Sequence, residues 1–327
     1  MSNSGRDPGL VTIFGGPGFV GRYAVRALAK AGWRVRAASR RPDLAGHLQP
    51  MGAVGQVLPV QANLRFPDSI ARAIEGADAV INCVGILAPS GRQSFNAVQA
   101  TGARLIAKSA RELGVSQLVH VSAIGAALKS PSHYARSKAE GESGVLEEFA
   151  RAIILRPSIV FGPEDQFFNR FAAMARISPF LPLIGGGKTK FQPVYVGDVA
   201  ATIAASLHGK GVPGATYELG GPDILSFRQL LDKTLAFCDR NRAYLPLPFW
   251  AAKLQAVLTW PLPNAVRPVT LDQIRLLERD NVVSAAALKQ NLTLAGLGID
   301  RPLTIDAIVP GYLERYKSKG QYAHYRG

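Results

Sequence analysis

Two short stretches of this chain carry residue types that could do chemistry. Tyr134-Ala135-Arg136-Ser137-Lys138 lies in helix-forming sequence, so its phenol and ammonium fall one turn apart on a single face and can share a ligand. An ammonium beside a phenol favours the phenolate and draws the tyrosine toward the range useful for general acid/base work. The same lysine can also hold a sugar hydroxyl. Tyrosine and lysine at this spacing also occur on ordinary solvated helices, so the pair gains meaning only from what lies upstream.

Upstream is Gly15-Gly16-Pro17-Gly18-Phe19-Val20-Gly21, which follows the apolar run Leu10 to Phe14 and opens an alanine-rich helical stretch ending before Gly32. A strand, a tight turn and a helix result. The glycine spacing lets the chain turn at Gly15, approach a pyrophosphate at Gly18, and pack helix against strand at Gly21, with the helix N-terminus facing the phosphates. A second strand, Arg34 to Ala38, ends at Ser39-Arg40-Arg41. NAD-specific sites usually place an acid there for the ribose 2′-hydroxyl, and none is present. Two arginines suit a 2′-phosphate, so the expected cofactor is NADPH, with NADP(H) preferred over NAD(H).

The elements that must position these residues alternate along the first half. Gly55 to Val60, Ala79 to Cys83 and Gln117 to Ser122 read as strands. Pro67 to Glu75, Ser94 to Leu113 and Tyr134 to Phe149 read as helices. That alternation predicts an α/β fold, a Rossmann doubly wound parallel sheet, with ligands outside the carboxyl ends of the strands. Asn63-Leu64 are thereby expected on the adenine side, and Val84-Gly85-Ile86 beside the phosphates and ribose. The expected division is a dinucleotide-binding domain over 1–160 and a smaller C-terminal α/β substrate-side domain over 161–327, some elements of which return to the first.

Gly15, Gly18 and Gly21, Val84-Gly85, Tyr134 with Lys138, Leu155-Arg156-Pro157 and Phe161-Gly162-Pro163 together resemble the extended short-chain dehydrogenase/reductase family. The resemblance implies cofactor contacts from Gly15, Gly18, Phe19, Val20, Gly21, Ser39, Arg40, Arg41, Asn63, Leu64, Val84, Gly85, Ser122, Tyr134, Lys138, Pro157 and Ile159. Tyr134 and Lys138 are the implied catalytic pair, vestigial or cofactor-binding if there is no turnover. The family's hydroxyl after the fifth strand falls here on Ala123, and Ser122 is one residue early on the opposite face, which counts against reductase chemistry. His120-Val121-Ser122-Ala123, Tyr134 to Glu142, Gln192 to Asp198 and Leu271 to Val282 further resemble the NAD(P)H-binding accessory subunit family of respiratory complex I, alpha-subcomplex subunit 9. That resemblance implies a structural or regulatory nucleotide, partners among the other complex I subunits, and a peripheral location on the cytoplasmic face of a bacterial inner membrane, or on the matrix side for a processed homologue. A freestanding NADPH-dependent reductase or epimerase acting on a quinone, isoprenoid or sugar-like carbonyl is the alternative.

Composition narrows the remaining classes. Of 327 residues, 47% are hydrophobic and 19% charged, enough for a full core. Cys83 and Cys238 alone make neither a disulfide framework nor a paired metal site. No apolar run reaches membrane-spanning length, and the polar start lacks the pattern of a targeting segment. The net charge of +15 suggests an anionic partner, a phospholipid surface or an acidic protein, with a merely basic solvated surface as the plain alternative; nucleic acid is not expected because no nucleic-acid-binding motif is present. The later half is rich in proline and glycine, with a helix expected over Phe167 to Arg176. Leu181 to Lys190 is expected as a substrate-side loop, because Gly187-Lys188-Thr189 has no helix pattern after it to make a phosphate-binding loop. Asp198 to Leu207 reads as an N-capped helix and Thr216 to Leu219 as a returning strand. Trp250 and Trp260, in Leu245 to Pro263, suit either a membrane or partner interface or the small domain's core. Arg315, Lys317, Lys319 and Arg326, interleaved with Tyr312, Tyr316, Tyr322 and Tyr325, read as a docking tail rather than a core element.

Overall fold

The computed structural model describes residues 9–259 and 269–317. The chain forms two compact units. The first comprises Met1–Pro157, Gly197–Leu219 and Ser284–Asp300; the second comprises Ser158–Val196, Gly220–Val283 and Arg301–Gly327. The chain leaves the first unit at Ser158 and returns to it twice, so each unit is built from segments far apart in sequence.

In the first unit the strands β1 (Leu10–Phe14), β2 (Arg34–Ser39), β3 (Val57–Gln61), β4 (Ala79–Asn82), β5 (Gln117–Val121) and β6 (Ile153–Pro157) join Thr216–Leu219 in one sheet. Its order is Thr216–Leu219, β6, β5, β4, β1, β2, β3, with every pair parallel. This is the doubly wound Rossmann arrangement. The helices are α1 (Phe19–Lys30), α2 (Pro67–Ile74), α3 (Gly102–Glu112) and α4 (His133–Glu148).

The strands are apolar on both faces because helices cover both. Phe14, Ala38, Val80, Leu118 and Ile154 pack with Ile70 and Ile74 of α2, Ile106 of α3 and Val145 of α4. Helix α1 buries Gly21, Ala24, Val25, Leu28 and Ala29, the i, i+3, i+4, i+7, i+8 stripe of an amphipathic helix, and contacts β1 and β2. Strand order reverses between β1 and β4, beside the turn at Gly15, which is where such sheets open a ligand crevice.

Several elements differ from the expectation. The helix expected from Ser94 begins as a π-helical turn, Asn96–Thr101, before α3. The helix ending at Leu207 starts at Val196, two residues before Asp198, so Asp198 lies in its first turn rather than capping it. Leu181 to Lys190 is only partly loop, since Phe180–Ile184 is a strand paired with Ala243–Leu247. Three glycines at positive φ, Gly185 to Gly187, follow, and then strand Lys190–Phe191.

The second unit's core gathers Phe161, Phe168, Phe227, Leu230, Leu231, Ile305, Val309 and Leu313, with Tyr312 and Tyr316 packed against them. That corrects the expected docking tail as far as residue 317. Leu313 is in the core, Tyr312 packs on it with its hydroxyl donating to Asp165, and Arg315, itself exposed, donates through Nη2 to Asn169 Oδ1 at 2.5 Å, so the stretch is docked on its own unit. Lys319, Tyr322, Tyr325 and Arg326 lie outside the described residues, as does Trp260. Trp250 is 71% exposed, which rules out core packing for it.

Candidate functional site

The glycine turn is fixed by its own backbone. Gly15, at φ +78°, donates its N–H to the Ala38 carbonyl at 3.0 Å and accepts from Gly18 N–H at 2.9 Å. A Cβ on Gly21 would lie 2.1 Å from the Gly15 oxygen, and one on Gly16 2.8 Å from the Ala37 methyl. Gly18 stands at the N-cap of α1 with no side-chain cap and no acid in the first turn. The first N–H groups of α1, behind Phe19 and Val20, therefore remain for an anion.

Beyond the turn, Ser39 ends β2 with its Oγ buried and without a hydrogen-bond partner among the described residues. Arg40 is exposed, and no ion pair engages it among the described residues. Arg41 is also exposed, but its guanidinium grips Asp43 through Nε at 3.0 Å and Nη2 at 2.7 Å, which raises the Arg41 pKa and lowers that of Asp43. Asn63 Oδ1 accepts Arg65 N–H at 3.2 Å, so it shapes its own loop, and Leu64 packs on the core.

The loop after β4 is held from three sides. Asn82 Oδ1 accepts Val84 N–H at 3.0 Å, Gln99 Nε2 donates to the Ile86 carbonyl at 2.8 Å, and Lys138 Nζ lies 3.4 Å from where a Cβ on Gly85 would sit. Gln99 comes from the π-helical turn and is itself fixed by Ser137 Oγ of α4 at 2.7 Å. Such turns recur at functional sites because they re-aim one side chain.

Ser132 caps α4 by accepting Ala135 N–H at 3.2 Å, which sets Tyr134 in the first turn. Tyr134 is half-buried and meets Phe95 edge-on at 5.9 Å. One turn on, Lys138 is 4% exposed and donates to the Val121 carbonyl at 3.1 Å. Burial draws its pKa down to about 8, against the opposing pull of Glu142 and Cys83. Ser122 follows β5 with its N–H on the Leu155 carbonyl at 2.7 Å and its Oγ buried without a partner among the described residues. Pro157 ends β6 and accepts Ile124 N–H at 3.0 Å. Ile159 belongs to the second unit, where its carbonyl accepts Val194 N–H at 2.9 Å.

The Lys138 value has a measurable consequence. Between about pH 8 and about pH 10.5 the unfolded lysine holds a proton that the folded one has released, so folding is favoured increasingly as pH rises through that window. Below about pH 8 both states are charged and the cost of burying the charge is fully present. Relative to Lys138→Met, the wild-type protein should gain up to about 3 kcal/mol across the window. Urea unfolding at about pH 7 and about pH 10 tests this; a pH-independent difference would show that Lys138 is not desolvated.

The sequence assigns no role to Asn82 or Gln99, and it carries Ser137, Glu142 and Arg156 only as members of motifs. Asn82 carried a readable signal, a polar residue inside an otherwise apolar buried strand, and Glu142 another, four residues after Lys138. Gln99 and Ser137 carried none, because a π-turn has no sequence periodicity to read.

The residues fit a dinucleotide: a glycine cradle that side chains would fill, an uncapped helix N-terminus, and buried hydroxyls at the ends of β2 and β5. The pattern of the NAD dependent epimerase/dehydratase family matches residues 11–220. The chain is 40% identical over 297 residues to "NADH dehydrogenase (ubiquinone) 1 alpha subcomplex subunit 9, mitochondrial" of Arabidopsis thaliana, covering 87% of this chain and 74% of that protein. It is 34% identical over 197 residues to "Ceramide reductase" of Caulobacter vibrioides, covering 60% of each. Among solved structures, NADPH-dependent quinone oxidoreductase QOR2 of Escherichia coli, complexed with NADPH, superposes with a TM-score of 0.71 at 20% identity, covering 93% of this chain and 99% of that one.

Proposed function

The chain belongs to the NAD dependent epimerase/dehydratase family and, within it, to the alpha-subcomplex subunit 9 family, and from that premise we propose that it is an NADP(H)-binding accessory subunit of respiratory complex I. The observation that carries the reading is the intact nucleotide cradle at residues 15–21, and the family resemblance, by which the reductase hydroxyl falls on Ala123, argues against turnover. A bound dinucleotide supplies hydride chemistry, but here its role is structural or regulatory, stabilising the fold by ligand linkage. The α1 N-terminus and residues 15–21 hold the pyrophosphate, Lys138 holds a ribose, and Ser39 with Arg40 receives the 2′-phosphate.

Arg40 rather than Arg41 takes that phosphate, because Arg41 is already committed to Asp43. Arg40→Ala is expected to weaken NADPH binding about tenfold while leaving NADH binding within about twofold, as read by titration calorimetry. An equal loss for both nucleotides would remove the basis for NADP(H) preference.

The partners are other complex I subunits and the anionic membrane surface, with the chain peripheral on the cytoplasmic face in a bacterium and on the matrix side in a mitochondrion. The helix Phe249–Leu258 supports this, since Trp250, Leu254, Val257 and Leu258, at i, i+4, i+7 and i+8, are 53–71% exposed along one stripe. Phe180 and Leu245 are likewise exposed on the same side of the neighbouring strand pair. No helix among the described residues is long and apolar enough to cross a membrane. Such a stripe, with a net charge of +15, suits the boundary between headgroups and acyl chains.

Native purification from detergent-solubilised membranes, with mass spectrometry of co-eluting proteins and of nucleotide released on denaturation, tests the whole reading. Recovery with complex I subunits and near-stoichiometric NADPH is expected, and loss of membrane retention in a Trp250→Glu, Leu254→Glu double variant. A free protein with exchangeable cofactor would transfer the case to the second reading, a freestanding NADPH-dependent reductase or epimerase on a quinone, isoprenoid or sugar-like carbonyl. That reading is favoured by the half-buried Tyr134 one turn from Lys138 and by the ceramide reductase similarity. It fails if Tyr134→Phe leaves every cofactor-oxidising activity unchanged.

A further inference from the structure

Asn82 on β4 and His120 on β5 are direct partners in the parallel register, and each is 1% exposed. Asn82 is fixed by two demands. The Val84 N–H can only donate, so Asn82 Oδ1 must face it, at 3.0 Å; the amide nitrogen must then point at His120 Nδ1, also at 3.0 Å. That nitrogen donates, so His120 Nδ1 accepts and the ring proton resides on Nε2. The ring nitrogen Nε2 is buried without a partner among the described residues, a cost that a leucine of similar size would not incur.

What this pair holds is the floor of the cradle. A Cβ on Gly15 would lie 3.1–3.2 Å from the Cys83 carbonyl group and Val84 N, so the start of the β4 loop abuts the glycine turn directly. Gln99 pins the other end of the loop at Ile86. Were His120 to gain a second proton, Nδ1 would become a donor and the Asn82 amide would have to turn over, facing its NH2 against Val84 N–H. Burial first and the Lys138 charge second prevent this by pushing the His120 pKa down to about 3.

We propose that His120 is a positioning residue for the nucleotide: by accepting the Asn82 amide it fixes the backbone of residues 83–86 against Gly15, and so sets nucleotide affinity without touching the ligand. The inference rests on the nucleotide-binding reading above. It accounts for a buried polar side chain, with a ring nitrogen unpaired among the described residues, in a strand whose other buried residues, Leu118, Val119 and Val121, are apolar.

The test exploits shape. Asparagine at position 120 places an acceptor where Nδ1 stands, glutamine places its amide near Nε2, and leucine provides neither. NADPH affinity, read by cofactor fluorescence titration on variants whose apo forms are folded at the assay temperature, should fall about tenfold or more in His120→Leu and His120→Gln and stay within about threefold of wild type in His120→Asn. Independently, 15N side-chain NMR of the wild-type protein should show His120 as the Nε2–H tautomer with no titration from about pH 5 to about pH 9. Wild-type affinity in His120→Leu, equal loss in all three variants, or an Nδ1–H tautomer would overturn the proposal while leaving the nucleotide reading intact. A wild-type protein that binds no nucleotide would overturn both.

Discussion

Gly21→Ala is expected to abolish nucleotide retention and to destabilise the first unit by about 3 kcal/mol. The new Cβ would sit 2.1 Å from the Gly15 oxygen and 2.8 Å from the Gly15 carbonyl carbon and the Gly16 oxygen, all backbone atoms of the turn. No rotamer can relieve that contact, so either α1 moves away from the sheet or the turn opens. Both outcomes break the Gly18-to-Gly15 hydrogen bond and turn the helix N-terminus away from the phosphates. Losing two charge-assisted phosphate contacts corresponds to at least about a hundredfold in affinity. The matched control is Gly46→Ala, where nothing lies within 4 Å of the added methyl. Calorimetric titration with NADPH and denaturant unfolding of both variants decide the matter; retained affinity in Gly21→Ala would mean that the cradle does not bind phosphate through this turn.

Arg156→Met is the change expected to cost most in stability, about 3–5 kcal/mol. Arg156 on β6 holds Glu142 of α4 with both prongs, Nε to Oε1 at 2.9 Å and Nη2 to Oε2 at 2.5 Å, and its Nη1 lies 3.9 Å from Glu218 Oε1. Glu218 accepts Ser284 N–H at 2.7 Å, so the arginine ties α4 and β6 to both segments that return to the first unit. Its removal leaves Glu142, 6% exposed, as a buried charge without its hydrogen-bonding partner. Because that cost belongs to the stranded carboxylate, the double variant Arg156→Met, Glu142→Leu should recover most of the loss. Chemical denaturation of the single and double variants measures the coupling; simple additivity would show that the pair does not act as a unit.

The fold was legible because its signals are local and repeated. Leu10–Phe14 and Thr216–Leu219 match the expected bounds to the residue: the first is an apolar run broken only by Thr12, the second alternates buried Tyr217 and Leu219 with Thr216 and Glu218, and glycine follows each. The glycine turn was legible for the same reason, as three glycines between a strand and a helix carry a conformational demand no other residue meets. The π-turn at Asn96–Thr101 was hidden, because its defining hydrogen bonds leave no periodic trace. The packing of residues 312–316 differs from the expected tail because tyrosines and arginines serve a solvated surface and an aromatic core equally well. The partners of Tyr312 and Arg315, Asp165 and Asn169, lie nearly 150 positions earlier in the chain.

By itself, then, the amino-acid sequence determined the parallel sheet, the cradle at residues 15–21 and the spacing of Tyr134 and Lys138, all of which follow from periodicity and backbone sterics within a few residues. Only the tertiary structure decided which polar groups meet: that Arg41 is spent on Asp43 while Arg40 is not, that Gln99 and Asn82 pin the loop at 84–86, and that Lys138 and His120 are stripped of water. Hydrogen bonding and desolvation depend on what lies within a few ångströms in space, and that neighbourhood is assembled from strands and helices whose separation along the chain bears no relation to their distance in the fold.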